Sequence, residues 1–230
     1  MTQNRTKEIT QFRLLTTRKF APFFWTQFSG AFNDNVFRNA IIILIAYKIG
    51  TRSTIDSHIL VNVAAGLFIL PFFLFSALAG QISDRYEKAM LIRRIKIAEI
   101  IIMAGAALAF YFNNIIALLF LLFLMGAQST FFGPVKYSII PQHLEHDKIV
   151  GGNALVGMGT FIAILLGTIT GGVIIVERGD LLIGIILCVV AICGWLASCF
   201  IPDAPSNTPH IKLDLNPLIQ TWKTIGYARK

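Results

Sequence analysis

The chain has 230 residues, of which 55% are apolar and only 14% charged, whereas a soluble domain carries about 25% charged residues. The deficit lies in long segments with almost no charge, the pattern of membrane spans rather than of a diluted soluble core. The formal charge of +8 sits on lysines and arginines beside those spans, where it orients a chain in a bilayer, and this argues against a nucleic-acid binder. Strand alternation is absent, which argues against a β-barrel.

Residues 1–20 read as a cytoplasmic arm, polar and basic, with no cleavable signal sequence. A helix needs about 20 apolar residues to cross about 30 Å of hydrocarbon, and six such spans follow over residues 21–201. The first, Ala21–Tyr47, carries Gln27, Asn33, Asp34, Asn35, Arg38 and Asn39. At 1.5 Å rise per residue Asp34 lies about 20 Å along this helix, near the bilayer middle. At 100° per residue Gln27, Gly30, Ala31, Asp34 and Arg38 share one face. An ionisable group at that depth costs several kcal/mol unless it is paired or wet. Two readings fit. Asp34 and Arg38, four apart, can neutralise each other as a structural ion pair. Alternatively, with Gln27, Asn33 and Asn35, they line a pathway for a polar or zwitterionic substrate or a coupling ion.

The second span, Ile59–Ala79, is followed by Gly80-Gln81-Ile82-Ser83-Asp84-Arg85-Tyr86-Glu87-Lys88. Gly80 can end a helix in the left-handed region. Asp84 can stabilise the next helix N-terminus through its dipole, while Arg85 and Lys88 hold the loop at the headgroups. An ordinary basic loop would look much the same. After an even-numbered span, however, Gly80, Asp84 and Arg85 resemble the signature loop of the major facilitator superfamily, with Glu87 in place of that family's second glycine.

The third span, Ile97–Phe112, is short, and Ile95 and Lys96 can extend it because a lysine near a helix end snorkels to the interface. Only Asn113 and Asn114 separate it from the fourth, Ile115–Phe132, so the two must form a tight hairpin. Gly133-Pro134-Val135-Lys136-Tyr137-Ser138 follows; Pro134 opens a kink or helix end, and Lys136 can reach an anionic headgroup or phosphate. The fifth span, Ala154–Val176, contains Gly167-Thr168-Ile169-Thr170-Gly171, a small-xxx-small surface suited to close helix packing. The sixth, Leu181–Ile201, holds Cys188, Cys193 and Cys199, whose number and spacing suit neither a disulfide framework nor a metal motif. Residues 202–230 read as a cytoplasmic linker. Pro202, Pro205 and Pro209 keep it extended, then Asn216 and Pro217 open a short amphipathic helix with Lys223, Arg229 and Lys230 at the headgroups.

With the N-terminus inside, 16 of the 20 lysines and arginines fall on the cytoplasmic side. Lys48, Arg52 and Arg178 fall outside, and Arg38 lies within a span. The bias places both termini in the cytoplasm.

Ala31-Phe32-Asn33-Asp34-Asn35, Pro134-Val135-Lys136-Tyr137, Asn153-Ala154-Leu155 and Ala163-Ile164-Leu165-Leu166-Gly167 together resemble the bacterial lysophospholipid transporters, including forms fused to an acyltransferase and an acyl-carrier-protein ligase. The resemblance spans residues 20–201. It implies an all-α membrane protein, the six-helix N-terminal half of a major facilitator fold, in the bacterial inner membrane. The function it implies is inward movement of lysophosphatidylethanolamine-like lipid for re-acylation, with an acyltransferase as a possible partner. It also makes Asp34 and Lys136 the first residues to test. The substrate cavity of that family lies between two six-helix halves, so the second half is expected as a separate chain, a missing segment or a second copy. Other readings are an inactive fragment, an accessory subunit scaffolding a lipid-modifying enzyme, or a transporter of another small solute. Gly157 stands where relatives are expected to be acidic, and Leu121–Met125 lacks the basic residue of proton-coupled drug antiporters. His58, His143, His146 and His210 fall in expected loops without metal spacing, so neither an enzyme nor a cofactor is expected.

Overall fold

A computed structural model describes residues 11–46, 57–177, 179–206, 208 and 210. Six long helices run through them: α1 Ala21–Leu44, α2 Ser57–Arg85, α3 Lys88–Tyr111, α4 Ile115–His143, α5 Ile149–Glu177 and α6 Asp180–Cys199. Short 3₁₀ turns at Arg13–Thr16 and His146–Lys148 precede α1 and α5. Four helical stretches, His58–Arg85, Ile115–His143, His146–Glu177 and Asp180–Cys199, are long and apolar enough to cross a membrane by length and composition. Helices α1 and α3, of 24 residues each, are long enough, but their polar and charged residues lower their mean hydropathy. The expected amphipathic helix after Asn216 lies outside the described residues.

Several helices run past their expected ends. Gly80, Asp84 and Arg85 form the last turns of α2, and Gly80 does not take the left-handed conformation expected of it. The turn is Tyr86–Glu87, and the cap of α3 is Glu87, whose carboxylate accepts the backbone N–H groups of Ala89 and Met90. An acidic cap stabilises a helix N-terminus by satisfying its orphan donors and complementing its dipole. The dipole role expected of Asp84 therefore falls to the residue that replaces the signature's second glycine. α3 begins at Lys88, nine residues before Ile97, which places Lys96 within the bundle and not in a loop. α4 continues through Pro134 and Pro141 to His143, so Pro134 does not end it. Between α3 and α4, Asn113 takes a left-handed conformation (φ 53°) and Asn114 caps α4 by accepting from the Ala117 N–H.

The strongest helix contacts are α1 with α5, α2 with α4 and α3 with α6, followed by α1 with α6 and α3 with α4. Exchanging α1–α3 for α4–α6 maps this set onto itself, as expected of an inverted three-helix repeat. Lipid offers little hydrophobic drive for helices to associate, so close approach through small residues carries the packing. A Cβ on Gly126 of α4 would lie 2.3 Å from the Phe68 carbonyl oxygen of α2. On Gly167 and Gly171 of α5 it would lie 2.5 Å from the Phe32 and 2.4 Å from the Val36 carbonyl oxygen of α1. The small-xxx-small surface expected from the sequence is thus the α1–α5 seam.

Two apolar clusters fill the bundle, one around Phe37, Met103, Phe110 and Leu122, the other around Phe20, Phe23, Ile92 and Ile139. Between them lies a polar belt: Gln27 and Asn33 on α1, Lys96 and Glu99 on α3, Gln128 and Thr130 on α4, all buried. The N-terminal segment, the α2–α3 turn, the α4–α5 turn and the residues after α6 meet at one end of the bundle. Arg18, Lys19, Arg85, Arg94 and Lys148 gather there and make it the basic end of the bundle.

Gly171→Leu should force α5 from α1 and lower the melting temperature of the detergent-solubilised protein markedly. Gly66→Ala, on an exposed face of α2 with nothing within 4 Å of the added Cβ, should leave stability unchanged or raise it by up to about 1 kcal/mol. Thermal size-exclusion profiles read both, and equal melting of the Gly171 variant and wild type would contradict the close seam.

Candidate substrate cavity

The polar face of α1 looks into a cavity of about 380 Å³. The cavity occupies the gap between two tightly packed pairs, α1 with α5 and α2 with α4, and α3 supplies its floor. Gln27, Gly30, Ala31, Asp34 and Arg38, the five residues placed on one face by helical spacing, all line it. Asn35 and Lys136 line it too. Asn33 is fully buried and turns instead to the neighbouring helices, its amide N–H group donating to Glu99 (3.3 Å) and to the Leu187 carbonyl of α6 (3.3 Å).

Asp34 and Arg38 do not form the structural ion pair that their spacing permits. Asp34 accepts a 2.6 Å hydrogen bond from Ser129 on one carboxylate oxygen, and its other oxygen is buried without a protein partner. Arg38 donates to Asn35 Oδ1 and lies 5.5 Å over the Phe68 ring. Neither Arg38 nor Lys136 has a carboxylate within 4 Å among the described residues. Lys136 donates to the Thr160 hydroxyl (3.0 Å), which lies 3.1 Å from Gln27 Oε1. The cavity is therefore lined by two cations with no carboxylate in contact and by one carboxylate with a buried oxygen that has no protein partner.

Its floor holds an ionic centre that the sequence does not single out. Lys96 and Glu99, both 1% exposed, pair at 2.7 Å. Glu99 also accepts from Gln128 (3.3 Å) and Asn33, so one carboxylate ties α3 to α4 and α1. The Lys96 ammonium lies 5.7 Å over the Phe132 ring. Its space is made by Gly30, where a Cβ would be 2.6 Å from Lys96 Nζ, while a Cβ on Gly194 would lie 2.5 Å from Ser29 Oγ. The one available signal is a pair of opposite charges three residues apart inside an apolar run. Placing Lys96 at the interface, as a snorkelling end of the third span, hides that signal. Ser129 and Thr160 carry none, since a serine or threonine in a span ordinarily bonds its own helix.

The expected loop residues form a second, separate cluster at the basic end. Lys88 is fully buried; its backbone N–H donates to the Ala204 carbonyl (2.9 Å) and its ammonium to the Pro205 carbonyl (3.0 Å). Glu87 accepts from the Ala204 N–H (2.7 Å), and the Asp84 carbonyl accepts from Thr208 N–H (3.2 Å). Arg93 donates to the Ile201 carbonyl (2.9 Å) and Gln142 to that of Pro205 (3.2 Å). Arg85 lies 5.7 Å over its neighbour Tyr86, and Gly80 has open space around it. The segment after α6 is thus strapped across the α2–α3 turn and the end of α4. Lys88 serves this strap and does not reach the headgroup layer expected of it. Among the described residues no group of three His, Cys, Asp or Glu side chains is placed to hold a metal ion.

Known proteins resemble this chain over most of its length. It is 30% identical over 198 residues to the lysophospholipid transporter LplT of Enterobacter sp. (strain 638), covering 85% of this chain and 46% of that protein. The corresponding protein of Salmonella typhimurium (strain LT2) is 30% identical over 205 residues, covering 88% and 45%. That of Serratia proteamaculans (strain 568) is 26% identical over 210 residues, covering 90% and 49%. The chain spans about half the length of the curated relatives it matches. The sequence pattern of the Major Facilitator Superfamily matches residues 23–229. That match opens in the first turn of α1 and runs through all six helices, and the chain belongs to the major facilitator superfamily.

Proposed function

We propose that the chain is the six-helix N-terminal half of a lysophospholipid transporter of the bacterial inner membrane. In this reading residues 1–20 are a cytoplasmic arm, residues 21–201 the transmembrane bundle and residues 202–230 a cytoplasmic linker. The observation that carries the reading is the cavity's charge set. Lys136 and Arg38 line it with no carboxylate in contact, as a phosphate would need, and Asp34 lines it with one oxygen that no protein group satisfies, as an ammonium group would need. A headgroup carrying both charges, as in lysophosphatidylethanolamine, matches that set, and a neutral solute does not. That its relatives are lysophospholipid transporters supports lysophospholipid as the class. A second six-helix half, from another chain, a further segment or a second copy, covers the open side of the cavity. An acyltransferase re-acylating the delivered lipid is the fitting downstream partner.

Fluorescent lysophosphatidylethanolamine titrated onto the purified chain should bind with an affinity reduced at least about tenfold, or about 1.4 kcal/mol, by either Asp34→Asn or Lys136→Gln. Wild-type affinity in both well-folded variants would remove these residues from substrate handling.

The orientation has its own test. In a cysteine-free background, Thr16→Cys and Tyr86→Cys should resist a membrane-impermeant thiol reagent added to intact cells, while Phe112→Cys should react. The reverse pattern would invert the topology.

A further inference from the structure

Two clefts at the basic end share Arg18 and Lys19 and have no residue in common with the central cavity. One, of about 480 Å³, is polar and runs between the N-terminal segment and the end of α4, reaching His143, Glu145 and Lys148. The other, of about 610 Å³, is apolar and lies between the start of α1 and the end of α6, lined by Pro22, Cys199, Phe200 and Ile201. Arg18 and Lys19 stand on the ridge between them. They are presented by a well-defined turn: Thr17 N–H donates to the Leu14 carbonyl and the Phe20 and Ala21 N–H groups to the Thr17 carbonyl. Leu14 and Phe20 anchor that turn in the second apolar cluster.

The charges around the polar cleft do not cancel. Arg18, Lys19 and Lys148 line it with Glu145, which Lys148 engages at 2.6 Å, and Asp147 offsets part of the Lys148 charge from beside it. Arg18 and Lys19 are exposed and unpaired among the described residues. Both ring nitrogens of His143 are buried in the cleft wall, against the backbone of Lys19, Pro202 and Asp203. A polar pocket carrying two unpaired cations selects an anion, and an apolar cleft on the other side of the same two cations selects a hydrocarbon tail. Both lie at helix ends, where α1 and α6 leave the hydrocarbon. A zwitterionic headgroup would bring its ammonium against the surplus positive charge, and a free phosphate would leave the apolar cleft unused.

We propose that this paired cleft is a binding site for an anionic phospholipid of the surrounding leaflet, with its phosphodiester on Arg18 and Lys19 and an acyl chain along Pro22 and Phe200. The site is separate from the central cavity and does not depend on what that cavity carries. It places a lipid between the N-terminal turn, the end of α4 and the strap that follows α6.

The test is native mass spectrometry of the full chain released from nanodiscs containing phosphatidylglycerol and phosphatidylethanolamine in equal amounts. Wild-type protein should retain phosphatidylglycerol preferentially. Arg18→Gln and Lys19→Gln should each lower that retention at least about fivefold, whereas Arg94→Gln, which removes the same charge from the same end of the bundle, should not. Inorganic phosphate at millimolar concentration should fail to displace the lipid. An equal loss in the Arg94 variant would reduce the effect to general surface charge and overturn the site. Equal retention of the two lipids, or displacement by phosphate alone, would overturn it as well.

Discussion

A carboxylate in the middle of an apolar bundle must be compensated where it stands, and Glu99 is compensated by three side chains. Lys96 supplies the opposite charge at 2.7 Å, and Gln128 and Asn33 supply donors at 3.3 Å. Asn33 continues the chain of contacts to the α6 backbone, so four helices meet around one anion. Taking an ion from water costs several kcal/mol, and removing one partner of a buried pair costs about 3–5 kcal/mol because the other charge is left behind. This arrangement therefore tolerates few alternative registers of α1 against α3 and α4. It explains why glycine stands at 30, where any side chain would collide with the Lys96 ammonium. It also explains why the apolar interior is divided in two, with the polar belt at the level of Glu99.

The cavity follows from how the remaining helices pack. Gly167 and Gly171 draw α5 onto α1, and Gly126 draws α4 onto α2, each by letting a backbone carbonyl approach where a Cβ would clash. The two pairs touch each other only lightly, through α1 with α4 and α4 with α5. A gap between two rigid pairs remains, closed below by the Lys96–Glu99 centre. The same exchange of α1–α3 for α4–α6 that preserves the packing relates the two seams. The cavity is thus a product of the repeat.

Much of this architecture is legible in the amino-acid sequence, and the exceptions have physical causes. The face of α1 can be read because helical spacing is rigid: residues at 27, 30, 31, 34 and 38 must point one way in any helix. Lys136 stands out because it sits in the Pro134-Val135-Lys136-Tyr137 stretch that carries the family resemblance. Lys96 does not, because a basic residue beside an apolar segment is ordinarily an interface anchor. Composition alone cannot tell such an anchor from a buried ion whose partner is a turn away. Gly80 reads as a helix end because glycine often serves there, yet Glu87 makes the stop by capping α3. Pro134 and Pro141 remain inside α4 because in a membrane bundle neighbouring groups can re-satisfy a lost backbone bond. The strap after α6 has no sequence signature, since it depends on backbone carbonyls of residues 201–205, which no side-chain pattern encodes.

The placement of charge along the cavity constrains how the proposed transporter would handle its lipid. Lys136 meets α1 at the level of Gln27, through Thr160, and Arg38 lies eleven residues further along the same helix. The backbone rises about 16 Å between these two levels of α1, and the Arg38 guanidinium turns back toward Asn35. Asp34 lies between them with its unpartnered oxygen. A phosphate leaving one cation for the other must pass a carboxylate, which repels it unless the molecule carries its own positive group. An ammonium beside the phosphate turns that barrier into a foothold. In the proposed transporter this order of charges would favour a headgroup bearing both signs.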